Sequence, residues 1–455
     1  VRLLIWSLLF LISAGIEEGR GASLVFSIYL VTQLYTGLFT TRNWIHPGFF
    51  YSASLLITTL ANFEVASNFA SGGFVKSYSY ARPELFEEAS LIWVLGNFVI
   101  LEAYAIKPGL RLPALAWNLS SRNSLGLLFW VAAAFIFRRF WLPVSLPGAF
   151  DSILNLLPLL GILMHARLSE LGQEKGLFLR ALILTVLATG YAVLYSYLRI
   201  GMVIPTLVFF LGVLSATGNI RVLRSPRFYP FYIFLLVFGT FFVTFGAKRS
   251  GLANGFARIT ELKQARSEET ETGRTQQLSA FERSSTIGQL SAVAGLVQDH
   301  GHYQGRASEP LFIALIPRFL WPEKPKIAVG VWFALEIGAA IKTATWYNNS
   351  INMTLPGHLY LDFGWLGLLL GGWFTGRFLR VLWETTLFVA RPLNFTGSLI
   401  ATYLLYTCFL GLGADLQILI TFLAVYLIIW AMNLFLNKVF PQKTLNNFDS
   451  YAPRI

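Results

Sequence analysis

The residues best suited to chemistry are a histidine, a carboxylate and a scattered set of cations. His358 sits in "LPGHLYLDFG", and Glu309 stands just ahead of "PLFIALIPRFLWPEKP". Either side chain could take a proton from a sugar hydroxyl, since an imidazole or a carboxylate within hydrogen-bond reach acts as a general base. Which of the two would do so is open on the residues alone. The cations are Arg199, Arg249, Arg283, Arg318 and Lys324. A guanidinium presents forked donors that match a phosphate. Several around one pyrophosphate would hold it and neutralise it as a leaving group, which aids reaction where the contact strengthens in the transition state. Singly, each cation is also explained by a local salt bridge or a lipid headgroup.

His300 and His302 form H-x-H in "QDHGHYQG". No cluster of His, Asp or Glu at convincing spacing completes a metal set, so no metal site is expected. His300, Trp321 and Tyr360 are candidate glycan contacts, because aromatics flanking a groove suit sugar stacking. With 40 Phe, 18 Tyr and 13 Trp in the chain, an interfacial aromatic belt accounts for these rings about as well.

The elements that must position these groups are membrane helices. Of 455 residues, 55% are hydrophobic and 13% charged, against about 25% charged in a soluble domain. Apolar runs of about 17–23 residues read as helical spans, near 2–16, 22–39, 46–62, 89–106, 123–140, 149–165, 177–198, 201–218, 229–247, 357–376, 396–412 and 414–436. The first run lacks the small-residue cleavage site of a leader and is expected to be a span. The alternation of a transmembrane barrel is absent. The expected fold is therefore an all-α polytopic membrane protein with about 12 transmembrane helices. Its single cysteine, Cys408, excludes an internal disulfide framework.

Basic connections orient the spans. Those holding Arg42, Lys107 with Arg111, Arg167 with Lys175, Arg221 with Arg224, and Arg377 with Arg391 all fall on one side, expected to be the cytoplasm. The net charge of +12 fits anionic partners and is equally produced by this anchoring; nucleic acid is not an expected partner. The chain divides into an N-terminal bundle of about nine spans (1–247), a large external region (248–356) and C-terminal spans with a cytoplasmic tail (357–455). Within the external region, "SSTIGQLSAVAGLV" places Ile287, Leu290, Ala294 and Val297 at helical spacing, with Ser284 or Ser285 as N-cap. The stretch 329–341 is expected to be an interfacial or re-entrant helix. Pro317, Pro322 and Pro325 stiffen the backbone that carries Arg318 and Lys324. The scarcity of acids at mid-span argues against an ion-coupled transporter.

The order "LRIG", "FERSSTIGQL", "HYQG", "LIPRFLWPEKP" and "NNSINMTLPGHLYLDFGWLGLLLGG" resembles the bacterial oligosaccharide repeat-unit polymerases, the Wzy-type O-antigen and exopolysaccharide polymerases. The resemblance covers roughly residues 180–380. It implies a GT-C-like membrane glycosyltransferase of the bacterial inner membrane. Such an enzyme joins undecaprenyl-pyrophosphate-linked oligosaccharides at the periplasmic face. It needs no nucleotide sugar, no cofactor and no obligatory metal, and a chain-length regulator is a further implied partner. By motif position Arg199, Arg283 and Arg318 match the family's arginines. The chain departs at "PGHLYLDFG", where family members often carry Glu before the Leu/Tyr pair and Asn before the Phe; here His358 and Asp362 stand instead. An O-antigen ligase and a polysaccharide or lipid transporter are the alternatives.

Overall fold

The computed structural model describes residues 6, 8–10, 13, 20–40, 44–70, 80–119, 122–141, 148–172, 175–195, 200–218, 220–229, 231–233, 284–314, 321, 323, 329–340, 350–391, 393–412 and 416–440. Among them there are helices and one isolated bridge but no strand. The helices are α1 (Arg20–Tyr35), α2 (Pro47–Ala70), α3 (Phe86–Ala105), α4 (Arg122–Ile136), α5 (Gly148–Gly172), α6 (Lys175–Tyr195) and α7 (Ile200–Thr217). They continue with α8 (Ile287–His300), α9 (Glu309–Ala314), α10 (Val329–Glu336), α11 (Leu355–Thr385), α12 (Phe395–Phe409) and α13 (Gln417–Val439). Four stretches are long and apolar enough to cross a membrane: Arg20–Phe39, Pro47–Phe69, Phe150–Gly172 and Gln417–Val439. The apolar helices in α4, α6, α7 and α12 are shorter. The expected spans 2–16 and 229–247 lie largely outside the described residues, as does 248–283.

The chain forms two compact units, each discontinuous in sequence. The first holds Val1–Leu112, Gln277–Glu384 and Thr407–Tyr426. Here α1, α2 and α3 pack on one another, and α8 packs on α3 and α2. Between helices in lipid, dispersion and close approach replace water release as the attraction. Gly376 of α11 shows how close: a Cβ there would stand 2.1 Å from the Ile100 carbonyl oxygen of α3, so only glycine fits.

Helix α8 differs from its expected amphipathic form. Besides Ile287, Leu290 and Ala294, the off-stripe residues Ala292, Val293 and Leu296 are buried, because α8 is enclosed against α3 and α2 rather than laid on a surface. Its N-cap is Thr286. The hydroxyl of Ser285 accepts from Ile287 N–H (3.4 Å) and donates to Asn62 Oδ1 (2.9 Å), which ties the helix start to α2. At its other end Asp299 accepts both Nη groups of Arg82. This hydrogen bond holds the Asp299 carboxyl below its usual 3.8. Its contribution to stability is present above that value and is lost as pH falls through the lower folded-state pKa. Carboxylate NMR titration should show Asp299 moving back up toward 3.8 in Arg82→Gln, with little change in melting, since exposed pairs contribute little.

The second unit holds Pro113–Gln276, Thr385–Tyr406 and Leu427–Ile455. Helices α4–α7 form a bundle in which α5 touches α4, α6 and α7. Arg167, expected among the anchoring charges of a surface connection, is 2% exposed, because α5 runs on past the expected end at 165 to Gly172. Its guanidinium lies 4.3 Å from the Phe388 ring centre, with Nη2 3.5 Å from the Val389 carbonyl. Arg138 pairs with Asp151, so for this cation the local acid is the partner. An extended segment, 111–119, is also fixed here. Leu115 N–H donates to Thr385 O (2.9 Å), Leu119 N–H to Leu393 O (3.0 Å), and Phe395 N–H to Trp117 O (2.9 Å). Asn394 and Asn433 complete the fastening: Asn433 Oδ1 accepts from Ala116 and Trp117 N–H at 3.1 and 3.0 Å.

Candidate active site

Three buried side chains of the first unit converge at the start of α11. His358 and Asp362 lie one helical turn apart, a spacing that puts them on one face. Ser308 comes from the turn before α9. Ser308 Oγ donates to Asp362 Oδ2 and stands 2.9 Å from His358 Nε2. Asp362 Oδ1 accepts from Gly305 N–H (3.1 Å) and Ala307 N–H (3.0 Å). The relative exposures are 0% for His358, 1% for Asp362 and 5% for Ser308. A buried carboxylate with three donors is well satisfied.

The proton count fixes the imidazole. A serine hydroxyl has one hydrogen, and the stronger acceptor, the carboxylate, takes it. The contact between Ser308 and His358 is then Nε2–H donating to Oγ. In a neutral imidazole this leaves Nδ1 with the lone pair, and among the described residues Nδ1 is buried without a hydrogen-bond partner. The chain Asp362–Ser308–His358 therefore holds one tautomer, with its basic nitrogen uncommitted. Ser308 thus bridges the carboxylate and the imidazole.

The helix beneath this network is broken. Gly364 has φ 64° and ψ −152°, a conformation that non-glycine residues avoid. The interruption coincides with two carbonyls taken by the approaching loop: Tyr303 N–H donates to Leu361 O (3.0 Å) and Gln304 N–H to Asp362 O (2.8 Å). Two non-glycine residues with positive φ flank the site, Gln304 (53°) and Thr354 (64°). Thr354 Oγ1 caps α11 by accepting from Gly357 N–H (3.1 Å). Strained residues of this kind persist where their surroundings over-determine them.

His358 is fully enclosed, because the 303–308 loop closes over α11. Glu309 begins α9, next to Ser308, and is exposed. His300 is exposed at the end of α8. His302 packs edge-on to Tyr360 at 5.7 Å, so the H-x-H pair divides between two environments. Among the described residues no group of three or more His, Cys, Asp or Glu is placed to hold a metal. Tyr360 is 3% exposed and donates to Glu88, whereas Trp321 is 39% exposed; only Trp321 offers an open ring. Tyr303 donates to Glu336 Oε1 (3.0 Å), and burial together with that carboxylate pushes its phenol up to about 12. Arg199, Arg249, Arg283, Arg318 and Lys324 lie outside the described residues. Ser308 is the member that sequence reasoning missed. Its partners are about fifty positions away and no motif marks it. The His358/Asp362 spacing was the available signal.

No protein-family model, curated protein or solved structure gives a significant match to the chain.

Proposed function

We propose that the chain is a GT-C-type membrane glycosyltransferase with about 12 spans that polymerises undecaprenyl-pyrophosphate-linked repeat units at the periplasmic face of a bacterial inner membrane. The observation that carries this reading is the Asp362–Ser308–His358 chain, which leaves a lone pair on His358 Nδ1. The acceptor sugar hydroxyl gives its proton to that nitrogen as its oxygen attacks the anomeric carbon of the donor. The bond from that carbon to the pyrophosphate oxygen breaks, and its electron pair leaves with the pyrophosphate. Inversion at that carbon follows from a single displacement. Arg199, Arg283 and Arg318, with Arg249 and Lys324, hold the leaving group, and His300, Trp321 and Tyr360 belong to the glycan region. Because Nδ1 is covered, acceptor binding has to open the 303–308 loop.

Purified protein with lipid-linked repeat units tests the reading. Arg199→Ala, Arg283→Ala and Arg318→Ala should each abolish chain extension while single units persist and protein level holds. Wild-type extension in all three sinks the pyrophosphate clamp. His358→Ala should lower the rate by about 10²–10⁴-fold, the usual worth of a general base, and Glu309→Gln far less. The reverse pattern transfers the role to Glu309. Loss of attachment to lipid A core with polymer retained would mark a ligase, and unchanged glycosyl transfer by protein lacking the arginines would mark a transporter or passive binder.

A further inference from the structure

We infer that a second site, for a phosphate-bearing headgroup, lies in the first unit at the end of α11 remote from His358. A cavity of about 250 Å³ is bounded there by the end of α1, the start of α2, the end of α3 and Arg380 of α11. Arg380 is 16 positions beyond the break at Gly364, or about 24 Å at 1.5 Å per helical residue, so the two sites are separate. The inference does not depend on the polymerase reading.

Three observations set the ligand class. The first is charge. Arg380 lines the cavity, with its guanidinium 5.5 Å from the Tyr104 ring centre and its Nε–H on Glu384 (2.9 Å). A guanidinium has five donors in a planar fork, so beyond Glu384 and the Tyr104 hydroxyl Arg380 keeps donors for a further acceptor. His46 also lines the cavity and stacks on Tyr104 at 5.6 Å. Glu102 accepts the Tyr29 hydroxyl (2.7 Å), and a second guanidinium, Arg377, donates to the carbonyls of Ile106 and Lys107 that follow α3. Exposed Lys107 and Arg111 add positive charge to the loop after α3.

The second observation is shape. The volume is slightly under the roughly 300–1,000 Å³ of drug-sized sites, which suits a headgroup and excludes an oligosaccharide. The walls combine rings (Phe49, Tyr104) with polar groups (Gln33, Thr36), as an amphipathic ligand requires. The third is that Thr36 and Gly37, which line the cavity, open the π-helical turn Thr36–Thr40. Such turns are rare and concentrate at functional sites. Basic pockets between membrane helices take anionic lipid headgroups, and the same phosphate chemistry could arrive on a soluble molecule.

The test uses the full chain in phosphatidylcholine nanodiscs, with melting followed by intrinsic fluorescence. Phosphatidylglycerol is titrated into the discs, or glycerol 3-phosphate into the solution. Phosphatidylglycerol should raise the melting temperature. The mole fraction for half effect should rise about tenfold in Arg380→Gln, the scale of one charge-assisted hydrogen bond. Ala105→Phe, on an exposed position of the lining, should block the same response without disturbing the core. A response to glycerol 3-phosphate alone, lost in both variants, keeps the site and assigns it to a soluble phosphate. If wild type and both variants respond alike to both ligands, the site is refuted.

Discussion

Asp362→Asn will leave the protein folded and stop the proposed chain extension, whereas Asp362→Ala will lower stability as well. In the asparagine variant the retained oxygen still accepts from Gly305 and Ala307 N–H, so the 303–308 loop stays docked. The new NH2 faces Ser308, which then accepts from it and turns its own hydrogen toward His358 Nε2. That nitrogen must now carry the lone pair, and the proton moves to Nδ1, the atom assigned as base. An amide in place of a carboxylate installs the wrong tautomer in other triads in the same way. Extension should fall by about 10²–10⁴-fold with a near-native melting curve. Histidine 15N shifts should report the exchange of protonated nitrogens. Alanine instead strands Gly305 N–H and Ala307 N–H, and about 3 kcal/mol of stability should go with them. Full activity in Asp362→Asn would remove the relay from the mechanism.

The second large effect belongs to Asn394, which is fully buried. Its Nδ2 donates to Leu115 O (2.6 Å) and Thr386 O (2.7 Å), and its Oδ1 accepts from Gly397 N–H (3.0 Å) and the Thr396 hydroxyl (3.3 Å). All four capacities of the amide are used, joining the extended 111–119 segment to the α11–α12 connection. Asn394→Ala should destabilise by about 3 kcal/mol, since several buried backbone groups lose their partner together. Asn394→Asp is almost the same shape, yet it turns acceptors toward two carbonyls and should be worse than alanine. Detergent melts of the three proteins separate the two causes. If aspartate is milder than alanine, packing and not hydrogen bonding holds this junction.

Helices were legible where apolar runs are long and bounded by Arg or Pro. Examples are α2 after His46 and Pro47, and α11 from the "LPGH" start. Periodicity reports burial of a helix on one side, and so it understated α8, which is enclosed on several. Charge counting took Arg167 for an anchor because hydropathy places the end of α5 too early. The role of Asn394 left no trace in the sequence. A polar residue after a span reads as connection, and the partner that gives it its role, Leu115, is 279 positions away. The candidate site was half visible: His358 drew attention by type and Asp362 by spacing, but Ser308 acquires meaning only when the loop folds onto α11.

The break at Gly364 has a bearing on how the protein is made. Residues 303–308 are synthesised before α11, so this loop is already waiting when the helix emerges. Until the loop binds, the carbonyls of Leu361 and Asp362 lack their Tyr303 and Gln304 donors. Closure of the start of α11 thus becomes conditional on the earlier segment being in place. A chain that inserted the two out of step would carry its defect at the histidine. The histidine network is then completed only when both segments have met.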